Sequence, residues 1–441
     1  MPSKIKYFLL VLLLFFNTSS FAKEIIVWHS MDGPLGERLL EIVQQFNAKP
    51  SQFKNGVIVT LSYKGDYDQA IELGLEKAGT PLAPHVLQVY EKGNLVMQAN
   101  PNAYIPLDKL SSTPSCSLQK ARFLPAIRDY YRSRAGAEGL PSLPFSVSSV
   151  VLFYNKDAFK AAGLNPENPP ATWEDFEKVA YLLKKRGAHH ILASAWLSAH
   201  HVEHVGSWHN QQVATEGNGL DGEGALLAIN TPFFRDHFNK LVSWYQVGIF
   251  NLAFGEKSEQ AFARQEVVML TDSANRLSHL QRLIKNKFEI GVASFPYWES
   301  VVREPYNTAV NGASFWAIKG HPAEDYVIVQ QFFEFLASPE IQSEWHQKTC
   351  YLPVVIGVQA LAEKQHFYEQ GLTGKVAKIA IDSFMKRTPG EFSRGVLLSK
   401  FPAIRDLIVQ ELKAAIKGEQ SVEEALEHAV SKANNLIEEK P

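Results

Sequence analysis

Trp345-His346-Gln347-Lys348-Thr349-Cys350-Tyr351-Leu352-Pro353-Val354 is the stretch whose reading decides the fold. Before it, Ser338-Pro339-Glu340 has the form of a helix start, with serine at the N-cap and proline at the first helical position, where a missing N–H costs nothing. After it, Leu352-Pro353 stops the helix, because the proline ring forces the preceding residue toward extended geometry. Tyr351 is therefore thrown out at a helix-to-extended break, and in α/β chains such breaks are where ligand groups collect.

Working outward toward the N-terminus, strands and helices alternate. Residues 24–27 read as a short apolar strand ended by Trp28-His29-Ser30. Residues 35–47 place Leu39, Ile42, Val43 and Phe46 at helical spacing. Residues 57–63 alternate as a strand, Lys64-Gly65-Asp66 turns it, and Tyr67 opens the next helix. Residues 85–90 form another strand with Glu91 at its carboxyl end. This order predicts a mostly parallel sheet with helices on its faces. Ligands of such sheets bind outside the carboxyl ends of strands, which makes Trp28, Tyr67 and Glu91 candidates by position.

Further on, residues 140–154 read as one strand-like run that carries Phe145-Ser146-Val147-Ser148-Ser149. Thr172-Trp173-Glu174-Asp175 resembles a capping box opening a helix to about Arg186. A second α/β region extends to about Phe295, with 191–196 and 267–273 as its landmarks. The style of the first region resumes at 311–316, and a helix is expected over 323–336. The C-terminal end reads as helical over 402–417 and 421–437, the latter opening with Ser421-x-x-Glu424.

With 441 residues, 46% of them hydrophobic, the chain has enough apolar content for one large core or two smaller ones. The net charge of −2 and the lack of a basic stripe argue against a nucleic-acid partner. The N-terminus reads as a signal peptide over 1–22. Lys4 and Lys6 form its basic region, 7–16 its apolar core, and Ser20-Phe21-Ala22 its cleavage site. That apolar core is shorter than the roughly 20 residues a membrane span needs. The expectation is an exported, soluble protein beginning near Lys23. An oxidising compartment permits a disulfide between the two cysteines, Cys116 and Cys350, provided their Cα atoms come within about 7 Å.

Two motifs point elsewhere. Gly217-x-Gly219-x-x-Gly222 matches the dinucleotide fingerprint, but no buried strand precedes it, and Glu216, Asp221 and Glu223 would repel a pyrophosphate. It reads as a surface loop. His200-His201-Val202-Glu203-His204 contains the inverted zincin pattern, in which His200 and His204 would hold zinc and Glu203 would be the catalytic carboxylate. A zinc metallopeptidase is therefore the alternative from another class. Five residues in a histidine-rich stretch meet that pattern cheaply, and the plainer reading is a solvated, polar helix start.

The chain also resembles the sn-glycerol-3-phosphate-binding proteins of Ugp-type ABC importers, a branch of the family 1 extracellular solute-binding proteins. The resemblance covers nearly the whole mature chain. It rests on 28–31 (Trp-His-Ser-Met), 63–67 (Tyr-Lys-Gly-Asp-Tyr), 87–91 (Leu-Gln-Val-Tyr-Glu), 154–159, 311–314, 345–349 and Tyr351-Leu352-Pro353. It implies an α/β, two-lobe periplasmic-binding-protein fold of type II with a ligand cleft between the lobes. The first lobe would comprise 23–146 and 311–348, and the second 147–310 with a C-terminal helical part over 349–441. Crossing segments are expected near 146–149, 309–311 and 348–352.

Carried over motif by motif, the ligand-binding residues fall on Tyr67, Glu91, Ser148, Ser273, Gly312, Tyr351 and Arg405. A polyol phosphate suits them. Arg405, the hydroxyls of Ser148, Ser273 and Tyr351, and the backbone N–H of Gly312 can donate to the phosphate. Glu91 can accept from the glycerol hydroxyls, and Tyr67 and Trp196 can wall the carbon chain.

The implied function is capture of sn-glycerol-3-phosphate or a glycerophosphodiester such as glycerophosphocholine, by a monomer that hands it to membrane permease subunits. No catalysis, metal or cofactor is implied, and an oligosaccharide binder is the alternative of the same architecture. The chain departs from the family pattern at Ala199, where a second aromatic can stand, at Cys350, commonly a glycine, and over 393–398. These departures lie near the expected cleft and leave the choice of ligand open.

Overall fold

The computed structural model describes residues 23–49, 57–110, 118, 123–132 and 139–439. The signal-peptide reading and Cys116 lie outside these residues. In the first lobe, β1 (Glu24–His29), β2 (Ile58–Tyr63), β3 (Val86–Tyr90), β4 (Tyr104–Ile105) and β5 (Leu143–Ser148) follow one another. The chain then builds the second lobe from β6 (Val150–Asn155), β7 (His190–Ser194), β8 (Phe250–Asn251), β9 (Val267–Ser273) and β10 (Ile290–Ser294). It returns to the first sheet as β11 (Asn311–Ile318).

The first sheet has the order β2-β1-β3-β11-β4, with β5 also paired to β11, and the second has the order β10-β6-β9-β7-β8. Pairing of β2, β1 and β3 is parallel, as the β-α-β-α-β order requires. Pairing of β11 with β3, β4 and β5 is antiparallel, and so is that of β6 with β9 and β10. The expected mostly parallel sheet is thus corrected to two mixed sheets. Handed-over helices make parallel neighbours, whereas β11 re-enters its sheet from the other lobe and runs the opposite way.

The 140–154 run is likewise two strands in two sheets. Ser149 stands between β5 and β6, and its carbonyl accepts from Ala274 N at 3.0 Å. The apolar content of 143–154 gave no hint of this break, because every residue of both strands is buried.

Helices cover the sheets by their apolar stripes. The Gly33–Asn47 helix buries Leu39, Ile42, Val43 and Phe46, and Phe46 meets Phe332 and Phe335 of the Ala323–Leu336 helix at ring distances of 5.0 and 5.3 Å. In the second lobe, Thr172 caps the Trp173–Lys185 helix by accepting from Asp175 N at 3.1 Å. The capping box at Ser421 and Glu424 opens the last helix, Val422–Glu438. The Pro339–Thr349 helix starts at the Ser338 N-cap, although the serine hydroxyl donates to Phe335 O rather than capping. No helix among the described residues is long and apolar enough to cross a membrane.

Three crossings join the lobes and bond to one another. Ser149 Oγ lies 2.7 Å from Thr308 Oγ1, and Leu352 N donates to Val147 O at 2.7 Å. At the third crossing, Cys350 adopts a left-handed φ of 59°, which ends the Pro339–Thr349 helix and turns Tyr351 into the space between the lobes. That φ is the reason a glycine suits this position. The Cys350 side chain is buried, and burial pushes its thiol pKa up to about 12.

Candidate functional site: the cleft between the lobes

A cavity of about 520 Å3 opens between the lobes, and Tyr67, Glu91, Ser148, Trp196, Ser273, Gly312, Tyr351 and Arg405 all line it. Each comes from an element end. Tyr67 begins the Tyr67–Lys77 helix, whose N-cap Asp66 accepts from Asp68 N at 2.8 Å. Glu91 follows β3, Ser148 ends β5, Ser273 ends β9, and Trp196 lies just past β7. Gly312 is the second residue of β11, and Arg405 lies in the first turns of the Phe401–Lys417 helix.

The electrostatic centre is Arg405, only 8% exposed. Its Nε donates to Glu203 Oε1 at 2.5 Å, and a second N–H donates to the other oxygen of Glu203. The same guanidinium lies 2.9 Å from Glu91 Oε1 across the cleft. Burial opposes the Arg405 charge, but the Glu203 and Glu91 carboxylates more than offset this and hold it protonated. Glu91 is also bonded by its own lobe, accepting from Gly312 N at 3.0 Å and from Asn311 Nδ2 at 3.3 Å. A second guanidinium, Arg276, forks onto Glu259 at 2.6 and 3.0 Å and reaches Asp32 of the first lobe at 3.5 Å.

The hydroxyl walls are aromatic-backed. Tyr351 stacks on Trp345 with centroids 5.6 Å apart and planes 6° apart, and Trp345 in turn stacks on Phe145 at 4.8 Å. Burial raises the Tyr351 phenol well above its ordinary range, so it is a donor at any working pH. Tyr67 stacks on Tyr90 at 5.1 Å, and the Tyr90 hydroxyl donates to Asp68.

Several expectations change here. The Gly312 N–H is occupied by Glu91, so glycine serves a different end at this position. Its φ is +112°, and a Cβ would stand 2.0 Å from Ser146 O, so no other residue fits between β11 and β5. Trp28 does not line the cavity; it packs with Ile71, Leu87 and Trp316, under the Lys64 ammonium at 4.4 Å. Trp196 stands at the rim, 55% exposed.

The 200–204 stretch is not a solvated helix start. It is a π-helical turn, Ala199–His204, in which every residue is buried. His200 Nδ1 lies 3.1 Å from Ser194 Oγ and 3.2 Å from Thr271 Oγ1, while His204 Nδ1 accepts from Ala309 N at 3.2 Å. With Glu203 forked onto Arg405, the zincin arrangement is not formed. The apparent metal motif is half of the cleft's ion-pair system.

His201 accepts from His237 in a chain that starts at the Trp298 indole N–H: Trp298 Nε1 donates to His237 Nδ1 at 3.0 Å, which leaves His237 Nε2–H to donate to His201 Nδ1 at 3.0 Å. Burial holds these rings neutral, lowering the pKa of His201 and His204 to about 3 and of His209 to about 4. Residues 216–219 form a left-handed turn in which Asn218 is fully buried and its side chain accepts from Val213 N and Ala214 N. It is a folded corner rather than a loose surface loop.

Sequence reasoning missed Ser30, Lys92 and Asn275, and it offered Glu203 as a catalytic carboxylate rather than as the partner of Arg405. Ser30 and Lys92 follow the carboxyl ends of β1 and β3, so the rule that pointed to Glu91 reaches them too. Ser30 Oγ and Asn275 Oδ1 are buried atoms on the cavity wall with no hydrogen-bond partner among the described residues. Nothing local in the sequence could have paired Glu203 with Arg405, 202 positions away.

Two α/β lobes, joined by three crossings around a buried, charge-lined cleft, define a binding protein that captures a small polar solute between its halves. The family's sequence model, described as bacterial extracellular solute-binding protein, matches residues 41–368, and the chain belongs to that family. It is 35% identical over 412 residues to the sn-glycerol-3-phosphate-binding periplasmic protein UgpB of Escherichia coli K12, covering 93% of this chain and 91% of that one. It is 34% identical over 416 residues to UgpB of Yersinia enterocolitica, covering 94% and 92%.

Among solved structures, UgpB of Mycobacterium tuberculosis in complex with glycerophosphocholine superposes with a TM-score of 0.76 at 18% identity, covering 94% of this chain and 98% of that one. The GacH receptor of Streptomyces glaucescens, solved with acarbose, gives 0.75 at 15% identity, covering 95% and 100%. Likeness at such identities speaks to the fold.

Proposed function

We propose that this protein is the periplasmic substrate-binding component of an ABC importer, that it captures sn-glycerol-3-phosphate or a glycerophosphodiester, and that it delivers the ligand to membrane permease subunits as a monomer without catalysis. The observation that carries this reading is the convergence on one cavity of a buried guanidinium, Arg405, with the hydroxyls of Ser148, Ser273 and Tyr351. A phosphate needs clustered donors, and these are charge-assisted or phenolic ones held in place by packing. Glu91, between the donors, is the acceptor for a glycerol hydroxyl. Tyr67 and Trp196 face the carbon chain. The cavity volume lies in the range of drug-sized ligands, so an alcohol esterified to the phosphate also has room.

The proposed lobes are 23–146 with 311–348 and 147–310 with 349–441, a division that the two sheets support except at Val147 and Ser148, which still belong to β5 of the first sheet. Closure about the three crossings brings contacts from both lobes to the ligand, and that difference in contacts favours the closed state. The relatives' periplasmic naming and their glycerol-3-phosphate ligand support export and ligand class alike.

Calorimetric titration of the mature chain with sn-glycerol-3-phosphate, glycerophosphocholine and maltose in parallel tests the reading. Binding of either glycerol compound is expected, and it is lost in Arg405→Ala and Glu91→Ala. Binding of maltose alone, or of none of the three, overturns it.

A further inference from the structure

Both guanidiniums on the cavity wall are already forked onto carboxylates. Arg405 carries Glu203 and Glu91, and Arg276 carries Glu259 with Asp32 beyond it. Each group is neutral or negative as a unit, so an arriving anion gains less from it than from an open cation. Two amines line the same cavity with no carboxylate in ion-pair reach among the described residues, Lys92 and Lys413. Lys413 sits 4.7 Å from the Phe254 ring, two helical turns and about 12 Å along the helix from Arg405. Lys92 belongs to the Arg405 end. It follows Glu91 directly in the Glu91–Gly93 turn, is half-buried, and lies 4.6 Å from the face of Tyr90.

We propose that Lys92 is a phosphate-contacting cation of this cleft and sets its preference for phosphomonoesters over phosphodiesters. The proposal rests on the glycerol-phosphate reading above. Its physical basis is the charge of the two ligand classes. A phosphomonoester carries about −1.5 to −2 at neutral pH, a diester only −1. The Coulomb gain from one added cation scales with that charge, so Lys92 contributes about twice as much, in log affinity, to a monoester as to a diester. Room for the diester and preference for the monoester are then separate properties, the first set by cavity volume and the second by Lys92.

Burial, and next the neighbouring Arg405, lower the Lys92 pKa, while the more remote Glu91, Asp68 and Glu203 carboxylates act the other way.

The test is calorimetry of wild type, Lys92→Met, Lys92→Arg and Arg405→Ala with sn-glycerol-3-phosphate and glycerophosphocholine at pH 8. Lys92→Met is expected to lose at least tenfold in affinity for the monoester and markedly less for the diester. Lys92→Arg should recover most of the monoester affinity. Equal losses on both ligands would make Lys92 a structural residue and overturn the proposal. So would unchanged monoester affinity in Lys92→Met while Arg405→Ala abolishes binding, and in that case the glycerol-phosphate reading stands. If the wild type binds neither ligand, the reading itself fails and the proposal with it.

Discussion

Replacing Glu203 by glutamine tests whether the buried ion pair, rather than a metal, explains the 200–204 stretch. Glu203 is 2% exposed and Arg405 8% exposed, and they meet through a two-pronged contact. Removing one partner of a buried pair costs about 3–5 kcal/mol, because the other charge is left desolvated. In Glu203→Gln, Arg405 keeps Glu91 at 2.9 Å and one amide oxygen, which offsets part of that and puts the expected loss near 2–3 kcal/mol. Arg405→Met leaves Glu203 and Glu91 facing each other without a cation and should cost more, about 4 kcal/mol. The double variant retains only Glu91, already bonded by Gly312 N and Asn311, so it should fall short of the sum by about 1–3 kcal/mol. Urea unfolding followed by tryptophan fluorescence at pH 7.5, without ligand, measures all three. Additive losses, or a Glu203→Gln midpoint indistinguishable from wild type, would refute the ion-pair account.

Gly312→Ala should destabilise by at least about 2 kcal/mol and abolish ligand binding, since a Cβ 2.0 Å from Ser146 O forces β11 off β5; thermal unfolding and calorimetry read the two effects. Stability should fall on acidification from pH 7 toward pH 4.5. His201, His204 and His209 titrate at about 3 to 4 when folded and near 6.5 when unfolded, so below about pH 6.5 the unfolded chain binds protons that the native one refuses. Each such ring contributes a slope of up to about 1.4 kcal/mol per pH unit in that window, and a flat profile of melting temperature against pH would contradict their burial. Arg282→Ala removes the exposed Arg282–Glu37 bridge between the lobes and should open the ligand-free protein, seen as a larger radius of gyration at low salt that vanishes at high salt. In a Cys116→Ser background, Cys350 should resist thiol reagents until the protein is unfolded, because its thiol is buried and its pKa is pushed up to about 12.

Much of the site was legible because element ends are legible. Tyr67 after Lys64-Gly65-Asp66, Glu91 after an apolar strand and Tyr351 before Leu352-Pro353 each stand where a local signal changes, and local signals are what a sequence carries. Ser273 and Arg405 took their candidacy from the family resemblance, since a strand-end serine and an arginine early in a helix carry no distinguishing local mark. Where reasoning failed, two states looked alike along the chain. The 143–154 run is uniformly buried on both sides of Ser149, so its change of sheet leaves no trace in hydropathy. Polar residues at 200–204 read as solvated because polar residues usually are. Here His200 is held by Ser194 and Thr271, His204 by Ala309, His201 Nδ1 by His237 and the carboxylate by Arg405, most of them distant in sequence.

The sequence by itself determined the alternation of strands and helices, the helix boundaries at Ser338, Thr172 and Ser421, and the residue types that a phosphate cleft requires. These follow from short-range constraints: proline geometry, capping and apolar periodicity act within a few residues. Only the tertiary structure decided that the sheets are mixed, that Glu203 serves Arg405 and not zinc, that Gly312 donates to Glu91, and that Lys92 is left without a carboxylate partner among the described residues. The reason is that charge pairing in a low-dielectric cleft depends on which groups the fold brings within a few ångströms, and partners such as Glu91 and Arg405 lie far apart in the chain.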